Sequence, residues 1–565
     1  MKMKRILNLE KCSVALIMAL LSACGGGGSS DTSPPPVNTP APSAPISKAQ
    51  LRDAARLAQQ ATFGMPYEAL EPMARAGLEQ WLSEQFSAPV TLHGPAVYDI
   101  VNRRAAGEFD AFEDDIEYLV FARRLGWWHS TITAEDTLRQ RVAFALSQIF
   151  VVSDNVDILE VYPGALTTYY DNLLLNAFGN FEDLLRDVAL SPAMGVYLSH
   201  LNNQKADTTR NTFPDENFAR EVMQLFSIGL FELNPDGSER LDSNGQRIPT
   251  YDNRTIQEFA KVFTGLSYDG PSAAFGNNAS PVFTQPMIMF DEAHETSEKV
   301  LLNGVVIPAG QTGLDDVDVA INNLFEHPNV GPFIGRQLIQ RLVTSNPSAA
   351  YIQRVSSAFD DNGSGVRGDM RAVINAILTD VEARTRDALT TGKLQEPVVR
   401  YVSLLRQFGA TSDDGFIAVL GYFLQSVGLQ HPLSAPSVFN FYLPDHQPAG
   451  DLAASGLFAP ELSITNSNSI ISFPNFLDAI LFGDFVTDAP QGFAPVQLTL
   501  DRWESLAADS DRLVDELNTL LSGGALGSES VAAIVTSVDA FEDLQLRTVL
   551  AIYYVSIAPE TVIQR

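Results

Sequence analysis

Cysteine is nearly absent from this chain of 565 residues, which contains only Cys12 and Cys24. Because both lie close to the start, the rest of the chain has no thiol with which to form a disulfide bond, bind zinc or attack a substrate. Signatures of common enzymes are also missing. There is no G-x-S-x-G nucleophile elbow, no phosphate-binding P-loop and no G-x-G-x-x-G after a predicted strand. The sequence therefore names no reaction by itself.

Basic residues are scarce. Lysine and arginine together number 37, whereas aspartate and glutamate number 68, so the formal net charge is -31. Nucleic-acid binding proteins need a basic surface to neutralise phosphates, and attraction to anionic lipid needs one too. We therefore expect no nucleic-acid partner, and any membrane attachment must come from another feature. The acidic balance is compatible with a bound divalent cation such as calcium.

Long apolar runs are also few, and the first one lies in the leader. "SVALIMALL" (residues 13–21) follows Lys2, Lys4, Arg5 and Lys11, and it is too short for a permanent membrane span. "LSAC" (residues 21–24) resembles a bacterial lipobox, which predicts a signal peptide over residues 1–23 and a lipid anchor at Cys24. Gly25 after that cysteine favours the outer membrane, by resemblance to Gram-negative lipoproteins. The alternative is an ordinary secretory signal that contains a cysteine by chance.

A flexible segment separates the predicted anchor from the predicted fold. Residues 24–47 contain the cysteine and then "GGGGSSDTSPPPVNTPAPSAPIS", in which glycine and serine give way to proline. Such a tether of 23 residues could hold the body roughly 70 Å from the lipid, at ~3.1 Å per residue. From residue 48 onward, the apolar residues recur with the helical period. The prediction is a mainly α fold, one large multi-helix body over residues 48–565.

Strand signals are confined to two places. Residues 233–252 carry two turn dipeptides, Asp236-Gly237 and Asn244-Gly245, which predict a small β-hairpin excursion. Apolar segments near residues 282–308 predict short strands on either side of His294.

The chain resembles a bacterial family known as domain of unknown function 1800 over nearly all of residues 50–565. The stretches that carry this resemblance are "AARLAQQATFG", "RQRVAFALSQIFVVS", "GNFEDLLRDVALSPAMGVYLS", "ENFAREVMQLFSIGLFELNPDG", "EFAKVFTGLSY", "HPNVGPFIGRQLIQRLV", "PSVFNFYLPDHQPAG" and "SIAPETVIQR". The resemblance implies a secreted or surface protein that is mostly helical, from a family without a settled activity. Genes of this family commonly neighbour those of secreted sulfatase-like proteins, which implies such a protein as a partner.

Two positions depart from the family pattern. The family often has His-Asp after a phenylalanine-rich strand, whereas Glu295 follows His294 in this chain. Many members have Asp-Asn after "YL", where this chain has Ser199 and His200.

The segment "PDENFAREVMQLFSIG" (residues 214–229) is the first candidate site. In a helix, Glu216, Asn217, Arg220, Glu221 and Gln224 share an arc of about 140°. One interpretation is a half-buried helix with a solvated face. The other is a polar face that turns into a cleft. There the two glutamates would act as acid, base or cation ligand, Arg220 would orient an anionic group and Asn217 would donate hydrogen bonds.

The polar loop before this helix could complete such a site. "YLSHLNNQKADTTRNTF" (residues 197–213) is long and lacks periodicity, and long loops in compact domains are often functional. It could bring His200, Asn202 and Asn203 beside the helix, and an imidazole next to a carboxylate is a common general base. We therefore predict a catalytic set of Glu216, Arg220, Glu221, His200 and His294. The alternative is a surface loop.

Two further groups could bind a metal, and one tryptophan could bind sugar. "FDEAHETSEK" (residues 290–299) lacks the second histidine of a zincin motif, because Glu298 stands in its place. Asp291 and His294 could still form a mixed metal site completed from elsewhere in the chain, and the alternative is a charged exposed loop. Asp236 and Asp242 could hold calcium, although a plain hairpin also explains them. Trp128 could stack on a sugar ring, although adjacent tryptophans on a helix are more often part of the core.

Three functions follow from these patterns. The first is an envelope-anchored accessory or binding protein that acts with a secreted sulfatase-like partner on extracellular material. The second is a surface hydrolase or lyase that uses the carboxylates and histidines named above. The third is a structural envelope protein.

Overall fold

Helices dominate the computed structural model, which describes residues 45–107, 115–385, 391–418, 428–482 and 493–565. The predicted signal peptide, Cys24 and nearly all of the tether lie outside the described residues. Residues Ile46–Arg565 form one compact unit. In the described residues, no helix combines the length and the apolar composition needed to cross a membrane.

The helices before residue 270 are α1 (Lys48–Ala61), α2 (Tyr67–Ala76), α3 (Leu78–Ser87), α4 (Gly94–Ala105), α5 (Asp115–Thr133), α6 (Thr137–Ser147), α7 (Asp157–Val161), α8 (Pro163–Asn176), α9 (Phe181–Leu190), α10 (Pro192–Tyr197), α11 (Asn217–Gln224) and α12 (Asn253–Val262). The later ones are α13 (Gly313–Phe325), α14 (Val330–Leu342), α15 (Ala349–Asp360), α16 (Met370–Thr379), α17 (Val381–Arg384), α18 (Pro397–Gln407), α19 (Asp451–Ala454), α20 (Ser467–Phe482), α21 (Asp501–Leu506), α22 (Ser510–Ser522), α23 (Ser528–Asp539), α24 (Leu544–Ile557) and α25 (Pro559–Val562).

Short polar side chains fix several of these helix starts. Ser47 accepts a hydrogen bond from the backbone of Gln50, whose side chain in turn accepts from the Ser47 backbone, forming a capping box. Asp252 caps α12 and Asp369 caps α16 in the same way, through backbone N–H groups of the first turn. Each cap satisfies donors that a helix start would otherwise leave unpaired.

The β-structure is limited to two-residue antiparallel pairs in the described chain. They are β1 (Leu266–Ser267) with β2 (Ile288–Met289), β3 (Lys299–Val300) with β4 (Val306–Ile307), and β5 (Lys393–Leu394) with β6 (Ile563–Gln564). Single bridges join Phe231 to Pro249, Leu233 to Glu239 and Leu241 to Arg247. The mainly α fold, the hairpin excursion near 233–252 and the short strands near 282–308 are therefore confirmed.

One large apolar core runs through the helices, and α6 lies inside it. Every residue of α6 except Arg139 is buried, which its mostly apolar circumference predicts. Trp127 and Trp128 of α5 pack beside it at nearly a right angle to one another, with ring centroids 5.4 Å apart. Helix α14 contacts both α6 and α15. Its polar residues Gln337, Gln340 and Arg341 are buried between these neighbours.

Candidate functional site: a cleft along α14

The start of α11 faces water. The Arg220 Nη2 atom lies 3.4 Å from Oε2 of Glu216, and these side chains are 40% and 38% exposed. Asn217 beside them is also exposed. The opposite side of the helix is buried through Phe218, Ala219, Val222 and Met223. The solvated-face interpretation therefore describes this end of the helix.

The other end of α11 turns inward. Glu221 is buried, and its Oε2 atom has no hydrogen-bond partner. Burial raises the pKa of the Glu221 carboxyl, although the nearby Arg220 acts to lower it. One turn later, Gln224 and Leu225 border a large cavity in the described part of the chain. The predicted inward face thus exists only at the C-terminal end of the helix.

His200 is a core residue. Its ring stacks on Phe218 with centroids 3.9 Å apart, and its Nε2 atom lies 2.8 Å from the Ala189 carbonyl. Burial lowers the pKa of His200 to about 4, so the ring stays neutral at physiological pH. The described contacts give it no hydrogen bond to a carboxylate of α11.

The polar loop before α11 is pinned to its neighbours. Asn202 adopts a left-handed backbone conformation, with φ at 63°, and its Oδ1 atom accepts from Ser267 Oγ at 2.6 Å and from the Gly276 backbone at 3.0 Å. Asn203 exchanges hydrogen bonds with the Asp215 backbone at 2.8 and 3.1 Å. These asparagines hold the loop in place, and their amides are occupied by that task.

His294 lies in a different buried cluster. Its Nε2 atom is 3.0 Å from Asp316 Oδ2, and its Nδ1 atom is 2.8 Å from the Thr264 carbonyl. Lys299 Nζ donates to the same Asp316 oxygen at 2.6 Å. Both ring nitrogens therefore have protein partners. The catalytic roles assigned to Glu216, Arg220, Glu221, His200 and His294 stay predictions, because no recorded contact among the described residues joins either histidine to the helix carboxylates.

The candidate metal ligands do not assemble. No group of three or more histidine, aspartate or glutamate side chains suited to a metal ion occurs in the described part of the chain. Asp236 and Asp242 are exposed and accept hydrogen bonds within their own turns, from Ser238 and from Asn244 and Gln246. These hydrogen bonds lower the pKa of both carboxyls. The calcium site at Asp236 and Asp242 and the Asp291–His294 site stay predictions.

Trp128, the residue predicted to stack on a sugar ring, lies in the core. Trp128 is fully buried, and its indole N–H lies 3.2 Å from His431 Nε2. An indole enclosed on all sides offers no face to a ligand, so the core alternative holds for Trp128.

The site that sequence reasoning missed is a cleft of about 410 Å³, hereafter the α14 cleft. Helix α14 supplies one wall, through side chains spaced at i, i+3, i+4, i+7 and i+8: Phe333, Arg336, Gln337, Gln340 and Arg341. The other lining residues are Gln148, Ile149, Gln224, Leu225, Gly229, Leu230, Phe231, Leu233, Gly237, Glu239, Val438, Phe439, Tyr442, Leu443, Pro444 and Asp445. Its size and its mixture of apolar and amide groups are typical of ligand pockets.

A buried carboxylate stands behind the cleft and orients two of its lining residues. Oε2 of Glu396 accepts hydrogen bonds from Gln148 Nε2 at 2.6 Å, from Gln430 Nε2 at 2.6 Å and from the Tyr442 hydroxyl at 2.7 Å. Burial opposes ionisation of Glu396, but Lys393, Arg141 and these hydrogen bonds lower its pKa overall. Glu396 does not itself line the cleft. Its hydrogen bonds fix the orientation of the Gln148 and Tyr442 side chains at the cleft.

Glu461 is a second buried carboxylate, and it shares Lys393 with Glu396. Glu461 Oε1 lies 2.9 Å from Lys393 Nζ, which also donates to the Arg341 carbonyl at 3.0 Å. Burial raises the pKa of Glu461 despite the pull of Lys393. Arg141 donates to the same Arg341 carbonyl at 2.6 Å. This network ties the end of α14 to the core.

Polar atoms at the cleft lack partners. Gln148 Oε1 and Gln337 Nε2 have no hydrogen-bond partner, although both side chains are more than nine-tenths buried. Arg336 makes no hydrogen bond or ion pair within the described chain; its guanidinium stacks 5.3 Å from the Phe458 ring. Burial lowers the pKa of Arg336, while Asp445 and Glu239 act to raise it. An unpaired buried polar atom costs about 1–3 kcal/mol.

The opposite wall is held by one asparagine. Asn329 is buried, and its Nδ2 atom donates to the carbonyls of Ile228 and Phe231, each at 2.8 Å. Its Oδ1 atom accepts from the Leu233 backbone at 2.9 Å. Gly229 in this wall has φ at +73°, and a Cβ there would lie 2.8 Å from the Phe333 ring. This wall therefore depends on the Asn329 amide and on the absence of a side chain at position 229.

These observations define the chain as a mainly α-helical protein with a cleft along α14. Comparison with known families places it further: the chain belongs to the family described as proteins of unknown function, DUF1800, which it matches over residues 56–562. No curated protein and no solved structure matches it.

The cleft lies where the stretches that carry the family resemblance meet. All lining residues except Glu239 belong to four of them: "RQRVAFALSQIFVVS", "ENFAREVMQLFSIGLFELNPDG", "HPNVGPFIGRQLIQRLV" and "PSVFNFYLPDHQPAG". The signal that could have found the site was the polar stripe of α14, since arginine and glutamine side chains recur at helical spacing inside an otherwise apolar helix.

Proposed function

We propose that this protein is a lipid-anchored binding protein of the bacterial cell envelope, and that the α14 cleft holds part of an extracellular polymer. The observation that carries the proposal is the polar side of α14, whose arginine and glutamine side chains line a cleft of about 410 Å³. A buried polar face without a ligand would be a net cost to the fold.

The leader supports the envelope location. The lipobox-like "LSAC" and Gly25 argue for a lipid at Cys24 and for the outer membrane, and the tether would give the body reach. The family's gene neighbourhood supports a secreted sulfatase-like protein as the partner with which the chain would handle extracellular material.

The two other functions receive less support. A hydrolase or lyase around Glu216, Arg220, Glu221, His200 and His294 would need a histidine within reach of a carboxylate of α11. His200 instead contacts the Ala189 carbonyl, His294 contacts Asp316, and Glu216 pairs with Arg220. A purely structural protein would have no use for a cleft of about 410 Å³ lined by arginine and glutamine side chains.

The test compares three variants of the full chain, expressed in the bacterium that produces it. Capture on immobilised polysaccharide from that envelope is measured for Phe439→Ala, at the mouth of the cleft and 46% exposed, and for Phe213→Ala, in the loop before α11 and 68% exposed. We expect Phe439→Ala to weaken capture about tenfold, which corresponds to about 1.4 kcal/mol. Phe213→Ala should leave it unchanged.

Cys24→Ser is the third variant and tests the anchor. It should move the protein from the membrane pellet to the soluble fraction while capture persists. A sulfatase-like protein should co-purify with the wild-type chain and with Cys24→Ser. Loss of capture in Phe213→Ala alone would indicate a binding site near α11. Equal capture by Phe439→Ala and Phe213→Ala would contradict binding in the cleft.

A further inference from the structure

We propose that a small cavity beside Arg400 binds one chloride ion. This space, hereafter the Arg400 cavity, has a volume of about 30 Å³ and shares no lining residue with the α14 cleft. The proposal therefore goes beyond the proposed function and does not depend on it. It rests on an arginine without a counter-charge, on the hydrogen-bond donors beside that arginine and on the size of the space.

Arg400 of α18 lacks the partners that its neighbour Arg406 has. The Arg400 side chain makes no hydrogen bond or ion pair within the described chain, and its guanidinium carbon lies 3.7 Å from the centre of the Phe473 ring. Arg406, on the same helix, donates to four backbone carbonyls at 2.5 to 3.0 Å. The fold thus satisfies one arginine of α18 with backbone oxygens and leaves the N–H donors of the other available.

No carboxylate among the described residues balances the charge of Arg400. Burial lowers the pKa of Arg400 to about 10, and the other group in the described chain that acts on this pKa is Tyr401. Burial raises the pKa of Tyr401, so at neutral pH this hydroxyl is neutral while Arg400 is charged. No lining residue is acidic, so the lining carries a formal charge of +1 in a chain whose net charge is -31. A cation removed from bulk water is costly unless an anion accompanies it.

The groups beside Arg400 can donate hydrogen bonds to an anion. Ser403 lies three residues further along α18, so it projects from the same side of the helix. Ser403 and Gln395 both line the cavity, are only partly buried and make no side-chain hydrogen bond in the described chain. A solute in the cavity can therefore reach them. Gln59 and Gln407 are excluded from this donor set, because their amide nitrogens donate to backbone carbonyls of α22.

The size of the cavity selects a small ion. Its volume of about 30 Å³ equals the ~30 Å³ that one water molecule occupies in the liquid. Sulfate, phosphate and organic acids are larger than that space. A water molecule would fit but would leave Arg400 without a counter-charge, whereas chloride fits and supplies one. The lining comes from α1, α18, α20, α22, α24 and α25, so a bound chloride would hold the first helix to the last ones and stabilise the fold.

The experiment uses bromide as the probe, because its anomalous scattering distinguishes it from water. Crystals of the full chain, grown without chloride, are soaked in sodium bromide. We expect an anomalous peak within hydrogen-bond distance of the Arg400 guanidinium in the wild type and none in Arg400→Gln. Arg254→Gln is the matched control, because it removes the same charge from an exposed position in α12, and it should keep the peak.

Melting temperatures test the same site in solution. Bromide replaces gluconate, which is too large for the cavity, at constant ionic strength. We expect the melting temperature of the wild type to rise relative to that of Arg400→Gln until the site saturates, because bromide binds only the folded wild type. The difference between the wild type and Arg254→Gln should stay constant.

Three results would overturn the proposal. The first is water alone at Arg400 in the soaked crystals. The second is a peak there without a solution effect, which means binding at crystal concentration only. The third concerns Ser403→Ala, which keeps the charge and decides the matter if Arg400→Gln does not fold. This variant should raise about tenfold the bromide concentration that half-fills the site in soaked crystals, and an unchanged concentration contradicts the proposed site.

Discussion

His200 shows how the surroundings of a single residue decide its role. Its position in a polar loop next to acidic residues suggests a general base. In the fold, its ring lies against Phe218 and its Nε2 atom reaches the Ala189 carbonyl, so it behaves as a buried hydrogen-bonding ring. His93 is a parallel case: burial lowers its pKa to about 4 too, and its Nε2 atom lies 2.8 Å from Gln140 Oε1.

This burial predicts a pH-dependent stability. The folded pKa of His200 is about 4, below the usual 6.5, so between these values the unfolded chain binds a proton that the folded chain does not. The contribution of neutral His200 is therefore complete above pH 6.5 and is lost as the pH falls toward 4. His200→Gln keeps a donor for Ala189 and removes the titration. From pH 7 to pH 5, we expect the free energy of unfolding of the wild type to fall by about 2 kcal/mol more than that of His200→Gln, measured by urea denaturation.

A difference that stays constant across this pH range would contradict the assigned burial of His200. The comparison is insensitive to the other buried histidines, because they titrate equally in both chains.

At the scale of the element, α11 and α14 differ from what their sequences suggest: the polar start of α11 faces water, and the polar side of α14 lines the cleft. The acidic start of α11 attracts attention, yet its Glu216–Arg220 pair lies in water. Helix α14 looks like an ordinary core helix because Ile334, Leu338 and Ile339 dominate its pattern. Its polar residues all fall on one side, and that side borders the cleft.

Two glycines with the same backbone conformation separate strain from obstruction. Gly229 and Gly245 have φ of +73° and +75°, so alanine at either costs on the order of 1 kcal/mol in the left-handed region. A Cβ at Gly245 meets nothing within 4 Å, whereas one at Gly229 lies 2.8 Å from Phe333. We expect Gly229→Ala to lower the free energy of unfolding by about 1–3 kcal/mol more than Gly245→Ala does, and to weaken polymer capture.

The measurement is urea unfolding of both variants beside capture on envelope polysaccharide. Equal losses of stability in the two variants would mean that Phe333 can move away from the added Cβ without a measurable cost in free energy. Full capture by a destabilised Gly229→Ala variant would mean that this wall of the cleft does not contact the ligand.

The sequence predicts the elements better than it predicts the site, for a physical reason. Helical periodicity, caps such as Ser47 and turn dipeptides such as Asp236-Gly237 are local, and they correctly predicted the mainly α fold and the hairpin excursion. The cleft joins segments that are distant in sequence, for example Gln148 and Tyr442, whose side chains both reach Glu396. The burial of Trp128 and His294 also depends on long-range packing, so the sequence could not show whether a ligand can reach them.

At the scale of the whole molecule, the acidic excess lies outside the cleft. The chain carries a net charge of -31, whereas the formal charges of the residues that line the cleft sum to zero. The lining also draws on stretches between residues 148 and 445, which surround one buried network of Glu396, Lys393 and Glu461. The cleft is therefore a product of the complete fold.

Hydrogen–deuterium exchange of the full chain, with and without pooled envelope polysaccharide, shows directly whether the α14 cleft is where the polymer binds. We expect slower exchange with polysaccharide in residues 228–233, 333–341 and 438–445, which line the α14 cleft, and unchanged exchange in Ser528–Asp539. Protection confined to residues 199–221, or protection in none of the cleft segments, would contradict a polymer-binding role for the cleft.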